Sequence, residues 1–281
     1  MRTVTGLLAA AALAMPGTAL AKTETFAPTG PWAIDYADHT CKLMRNFGNG
    51  ERQLTLGLQR AELGPRLMLE IAGETVDFAT RAGTVQYRYG PGGSEREGGL
   101  SRLSNALRIA DAPLQEEFAG SRDWTAWSYD AERDAAKAID SVSVRGTFGD
   151  EIVIQLGPMD APIAALQTCV DDLMEDWGLD ARRLAAASRH AQPTSDPQTW
   201  LGKDDYPREM SRVGRGGAVH VRLIVNEQGR VTRCIGIASE GTLGNATCNA
   251  LIERARFVPA LDAEGTPMAG LFVTDAVFRS Y

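Results

Sequence analysis

The chain has 281 residues, enough for one or two domains, and its 44% hydrophobic and 23% charged residues suit a globular protein, not a fibrous or disordered one. Its formal charge of −7 is unevenly spread: residues 22–200 hold 18 basic and 27 acidic side chains, residues 201–281 ten and nine. The acidic majority argues against nucleic-acid binding, which needs a basic stripe, and against docking on anionic lipid.

The N-terminus has the layout of a signal peptide. Arg2 gives a positive start, residues 7–15 are a short apolar core, Pro16-Gly17 breaks it, and Ala19-Leu20-Ala21 is an A-x-A cleavage site. The expectation is a signal peptide over 1–21, cleaved after Ala21, and export to the periplasm. The alternative is an uncleaved N-terminus that anchors the chain in the inner membrane. No later stretch is long and apolar enough to cross a bilayer, so no membrane-spanning segment is expected in the mature chain.

Residues 22–190 read as one α+β domain, a mixed sheet with covering helices. Residues 22–31 are a polar lead-in with Pro28 and Pro31, expected to be extended, and mobile at its start. A strand follows at 32–36, and residues 54–58 alternate cleanly. Gly64-Pro65 turns the chain into 66–71, and residues 84–89 alternate again with β-branched and aromatic members. Glycine-rich 90–94 reads as a loop that 95–99 extends, and 103–109 as a short helix. Helix-favouring, alanine-rich 130–139 follows Trp124-x-x-Trp127. Residues 141–147 and 151–156 suit a hairpin. Residues 159–177 form the strongest helix, with Leu166, Cys169, Val170, Leu173 and Trp177 on one face and Gly178 as its stop. A further helical piece is expected over 180–190. Residues 191–199 hold two prolines and no apolar period, and read as a linker.

The last unit, 200–281, is the most informative. A short helix is expected near 206–212. Val219, Val221, Leu223 and Val225 alternate with His220, Arg222 and Ile224, the pattern of a half-buried strand. Residues 226–231 make a polar turn around Gly229, and Val231, Ile235 and Ile237 continue on the return strand. Cys248, Leu251, Ile252 and Ala255 share a helix face, and a last apolar run spans 271–278. The order of strands can leave that run at a sheet edge, where unpaired N–H and C=O groups can capture an extended peptide. Asp275 and Arg279 would guard it from indiscriminate pairing.

Four cysteines in an exported chain allow three disulfide pairings. Cys234 and Cys248 share the last unit and are paired, which leaves Cys41 with Cys169. On the second strand Cys234 shares a face with the small residues Thr232, Gly236 and Ala238. Either the helix lies close against that face or a bulge resets the parity.

Catalytic and metal chemistry finds little support. There is no C-x-x-C, the three histidines His39, His190 and His220 are scattered, and no G-x-S-x-G is present. Glycine-rich 90–99 lacks the ending of a phosphate loop. Asp38-His39, the acidic face of Asp171, Asp172, Glu175 and Asp176, and the pair Trp124 and Trp127 are read as ordinary polar residues beside a disulfide, a solvated helix face and core packing. No catalytic residue, cofactor or metal is expected, and the chain is read as a non-enzyme.

The features Tyr206-Pro207, Gly217 before a valine-rich strand, 226–231, Ser239-x-Gly241, Arg256-Phe257-x-Pro259-Ala260 and Glu264-Gly265-Thr266-Pro267 occur in the order and spacing of a known family. Over about residues 200–281 the chain resembles the C-terminal domain of TonB-family proteins. The resemblance implies a three-stranded antiparallel sheet with two helices, in the periplasm of Gram-negative bacteria. It also implies capture of an outer-membrane transporter's TonB box by strand addition. The peptide-binding residues would then be Leu271, Phe272, Val273, Thr274, Asp275, Ala276, Val277 and Phe278. The long proline-rich spacer of a full TonB transducer has no counterpart here, which argues against energy transduction from the inner membrane. The leading expectation is a periplasmic binding protein associated with TonB-type transport, whose partner is an outer-membrane transporter or another envelope protein. The alternative is a structural module that forms a homodimer while the acidic N-terminal domain binds another envelope component. An exported hydrolase ranks third.

Overall fold

The computed structural model describes residues 22–50, 52–73, 83–103, 106–121, 125–146, 150–212, 217–238 and 243–278. The expected signal peptide and its cleavage point lie outside them, as do Trp124, residues 239–241 and Arg279.

Ten strands of the N-terminal part build one mixed sheet. They are β1 (Thr23–Pro28), β2 (Ala33–Ala37), β3 (Thr40–Gly48), β4 (Gln53–Arg60), β5 (Met68–Ala72), β6 (Thr84–Tyr89), β7 (Arg96–Leu103), β8 (Ala106–Ile109), β9 (Ser141–Arg145) and β10 (Glu151–Gln155). Neighbours run β1-β10-β9-β6-β7-β8-β5-β4-β3-β2. β1 lies parallel to β10 over residues 23–26 and antiparallel to β3 at Ala27 and Pro28, so the ladder closes on itself. β2 pairs with the remaining stretch of that β3 edge. The period-two pattern aims Leu43, Leu54, Leu56, Leu58, Val85, Tyr87, Val142, Val144, Ile152 and Ile154 into one core.

Helix α1 (Tyr129–Lys137) is capped by the Ser128 hydroxyl, which accepts from the Ala131 N–H, and α2 (Asp160–Asp176) packs on β3 and α1. The buried face of α2 includes Leu166, Cys169, Val170 and Leu173, with Trp177 beyond it. A disulfide joins Cys41 of β3 to Cys169, their Cα atoms 6.0 Å apart. Beside it, buried Arg60 pairs with buried Glu132 (Nη1 to Oε2 2.9 Å), and Gln167 donates to the same carboxylate at 2.9 Å.

Three readings of this part are corrected. The lead-in 22–31 is extended, but its start is not loose: it carries β1, tied down from Thr23 by backbone pairing and by Phe26, which is fully buried. Residues 96–99 belong to β7 and not to a loop. Residues 103–109 hold the end of β7 and all of β8, a strand pair with no helix among the described residues. The pair Leu103 and Leu107 satisfies a helical spacing, but here both strands are held by ladder bonds on two sides.

After α3 (Ala181–Ala185) the chain runs along the C-terminal unit. Ser188 N–H donates to Leu261 O, Leu261 N–H to Arg189 O, and Thr194 N–H to Arg256 O. β11 (Gln192–Pro193) pairs with β14 (Phe257–Val258). The stretch read as a linker is thus bound by backbone at its start, which needs no apolar period. Single 3₁₀ turns at Pro197–Thr199 and Lys203–Asp205 lead to α4 (Arg208–Arg212).

The C-terminal sheet has the order β13-β12-β17, all antiparallel, from β12 (Gly217–Val225), β13 (Val231–Ala238) and β17 (Gly270–Phe278). Between β13 and β17 come α5 (Leu243–Arg254) and a small hairpin of β15 (Ala260–Leu261) and β16 (Pro267–Met268). One face of the sheet, with Val219, Val221, Leu223 and Val225, meets α5 through Leu243 and Leu251. Its other face, with Ile224, Ile235 and Leu271, joins the core of the N-terminal part.

The two options for Cys234 resolve towards close approach. Cys234 stands opposite Leu223, on the α5 face, and is bonded to Cys248 with Cα atoms 5.4 Å apart. A Cβ at Gly236 would lie 2.9 Å from Gly244 O and 3.2 Å from Cys248 Sγ, so only glycine admits the helix there. A register shift does occur, between Ile224 and Val225. It moves Val231 to the α5 face while Ile235 stays on the opposite one. The helix therefore rolls towards the small residues. Leu243, Thr247 and Leu251 are buried, and Ile252, expected inside, is 43% exposed.

Candidate functional site: an edge strand and the polar chain beneath it

All eight residues expected to bind peptide lie on β17. Its register with β12 is unbroken from Gly217–Phe278 to Val225–Gly270. Among the described residues β12 is its one strand neighbour. In an antiparallel edge strand alternate residues turn their N–H and C=O away from the sheet, so a nine-residue strand presents a row of outward polar groups.

The side chains divide by parity. Phe272, Thr274, Ala276 and Phe278 stand on the α5 face. There Phe272 packs against Trp200 and Phe257, and Phe278 stacks on Tyr206 with ring centres 5.5 Å apart. Leu271, Val273, Asp275 and Val277 stand on the opposite face. Val277 is 65% exposed, the most exposed large hydrophobic side chain described. At its start the strand approaches Ala191: a Cβ on Gly270 would be 3.3 Å from the Ala191 Cβ. The open part of the edge thus lies towards Phe278.

Apart from the two-residue strands of the small ladders, two other described strands also end sheets. β13 is bent at its bulged end, stapled to α5, and Arg233 Nη1 donates to Asp176 O of the N-terminal part at 2.9 Å. β2 has only five residues. β17 is the longest and most regular of the three.

Beneath β17 lies a chain of charges that spans both parts of the molecule. His220 of β12 sits directly across from Asp275 of β17, with Nδ1 2.9 Å from Oδ1. Its Nε2 is 3.4 Å from Glu62 Oε2, in the segment after β4. The same carboxylate oxygen accepts from Arg222 Nε at 3.3 Å. Arg222 is buried, and its guanidinium lies 5.4 Å from the centre of the Trp177 ring. The hydrogen bond to Asp275, and then that to Glu62, push the His220 pKa up to about 9, against the opposing effect of burial. Burial works to raise the Glu62 carboxyl, but His220, Arg222 and Arg66 outweigh it and hold it below the usual carboxylate range.

This group escaped the sequence. His220 and Glu62 are 158 residues apart, and no local spacing links them. Only the position of His220 within the alternating strand gave a hint, as a polar residue on a face that also carries Ile224.

Other residues singled out earlier have plain surroundings. Asp38 and His39 form the turn between β2 and β3. Trp127 is buried, 5.6 Å beneath Arg60. Asp171 accepts from the Tyr129 hydroxyl and pairs with Arg182 at 3.1 Å, while Asp172, Glu175 and Asp176 are exposed. No helix among the described residues is long and apolar enough to cross a membrane.

Residues 203–277 match the family model of the Gram-negative bacterial TonB protein C-terminal. The match takes in α4, all three strands of the C-terminal sheet and α5, and supports a TonB-related role at the envelope for this unit. Comparison with curated proteins and with solved structures returns no match.

Proposed function

We propose that the chain is an exported, non-enzymatic binding protein of the periplasm that captures an extended peptide by adding it as a fourth strand beside β17. The guest's main chain bonds to the outward N–H and C=O groups between about Leu271 and Phe278. Val277 and Asp275 on one face, and the rim near Tyr206 and Phe278 on the other, select its side chains. The family match over 203–277 supports a guest from TonB-type transport, the transporter's TonB box. The observation that carries the reading is the regular nine-residue strand, bonded among the described residues on one side only.

Titration of fluorescent TonB-box peptides into the full chain tests it. Prolines are placed singly at Thr274 and Asp275. One of these residues turns its N–H outward and the other towards β12, because the direction alternates. The outward one should abolish capture while leaving the circular dichroism spectrum intact. Peptide binding that survives both prolines refutes strand addition at this edge. Sedimentation at the same concentrations separates the other use of the edge, pairing with a second copy: a dimer that peptide does not dissociate favours the structural module.

A further inference from the structure

The C-terminal sheet meets the N-terminal part through apolar contacts and through polar ones, the Arg233–Asp176 bond among them, and one of the polar groups has an unusual arrangement. Both ring nitrogens of His220 face carboxylates: Nδ1 faces Asp275 at 2.9 Å and Nε2 faces Glu62 at 3.4 Å. A neutral imidazole has one N–H and one lone pair. It can satisfy one carboxylate and must turn the lone pair to the other. The imidazolium donates to both.

We propose that His220 is a proton-operated clamp that fastens the edge strand β17 to the N-terminal part of the same chain, closed while the ring carries both protons and released when it loses one. The geometry allows this because the two carboxylates come from different units. Asp275 sits on β17 itself, and Glu62 sits between β4 and β5. The ring lies on the central strand between them, 31% exposed at the side chain, so a proton can reach it.

The charged surroundings favour the closed state. From β17 comes Asp275, from the segment after β4 come Glu62 and Arg66, and from the histidine's own strand comes Arg222. Across β12 on the other side, β13 presents the uncharged Ile237. Two carboxylates touch the ring and outweigh the opposing positive charge of Arg222, while Arg66 acts on Glu62. Arg222 Nε bonds the same Glu62 oxygen at 3.3 Å, so the carboxylate keeps a cationic partner when the ring proton leaves. The upward shift of the ring's pKa agrees with the arrangement.

Sign and window follow from that shift. The clamp contributes in full below the ordinary histidine value of 6.5 and is lost as pH rises through about 9. The same chain of contacts makes a guest beside β17 sensitive to the docking of the N-terminal part, because Asp275 lies on the strand that would receive it. The clamp itself stands whether or not the edge takes a peptide.

The test is made on the full chain without any peptide. Nitrogen-detected NMR of the imidazole at pH 7 should show a doubly protonated ring that titrates well above 6.5. Amide hydrogen exchange, expressed as protection factors so that intrinsic base catalysis cancels, should show β17 and residues 61–67 losing protection together between pH 8 and 10. The window opens about one pH unit below the value of about 9 at which the ring loses its proton, and each unit corresponds to about tenfold, so a loss of roughly tenfold is expected across it. In His220→Gln the loss with pH should disappear, and in Glu62→Gln the ring should titrate at lower pH. A ring that is neutral at pH 7, or protection that falls alike in the wild type and in His220→Gln, overturns the proposal. Should either variant fail to fold, the wild-type titration and its simultaneous appearance in the two segments decide the matter alone.

Discussion

The two sheets solve the same problem differently. The N-terminal sheet closes through β1, which has β10 on one side and β3 on the other, and so removes most of its edges. Among the described residues the C-terminal sheet stays open and leaves β17 bonded on one side. A closed sheet can fill its interior with large side chains, and this one holds Phe26, Phe47, Tyr87 and Trp127 in its core. A three-stranded sheet has no interior, so both faces must be covered from outside, one by α5 and one by the N-terminal part. The open sheet is therefore not self-sufficient: its second face is completed by the closed one.

Each part also has one disulfide, and these give the largest contrast. Cys41–Cys169 spans 128 residues and Cys234–Cys248 spans 14. On the loop-entropy relation these contribute about 5 and about 3 kcal/mol. Replacing each pair by serine and measuring urea unfolding should show the larger loss for the first. Equal losses would mean that the unfolded chain already keeps β3 and α2 close. The buried pair inside the closed sheet comes next. Arg60→Ala leaves the Glu132 carboxylate in the core with only Gln167 beside it, and should cost about 3–5 kcal/mol in the same measurement. A cost under about 1 kcal/mol would show that water reaches this end of the sheet.

The same contrast explains what could be read from the sequence. Strands with an uninterrupted inward row, such as β4 and β12, were legible because one face is apolar at every second residue. β1 was not, because a single buried Phe26 carries it and the rest of its hold is backbone pairing. β7 was hidden by its glycines. Gly98 lies under the Ile109 side chain, where a Cβ would come within 2.2 Å, so a residue that usually signals a loop is there for close packing. Ile252 fits the helical period, but the helix is rolled towards Gly236, and a period does not say where a face is centred. The edge strand itself was legible because its place follows from the order of elements within one small unit. The partner of His220 was not, since Glu62 reaches it only through the packing of two separate sheets.

The smallest expected change in stability is the one that most sharpens the role of the edge. Val277 is 65% exposed on the open part of β17, and a side chain so placed contributes little to the fold. Val277→Lys should alter unfolding by no more than about 0.5 kcal/mol. Lysine on an edge is also a common guard against strand addition, because a guest must desolvate or displace its charge. Peptide capture should therefore weaken in this variant although the fold does not. The two measurements together separate an edge that is used from one that is merely tolerated. If Val277→Lys leaves both stability and capture unchanged, the guest does not lie against this end of the strand. If it lowers stability by several times the expected amount, Val277 is covered in solution, and a second copy of the chain becomes the natural occupant of the edge.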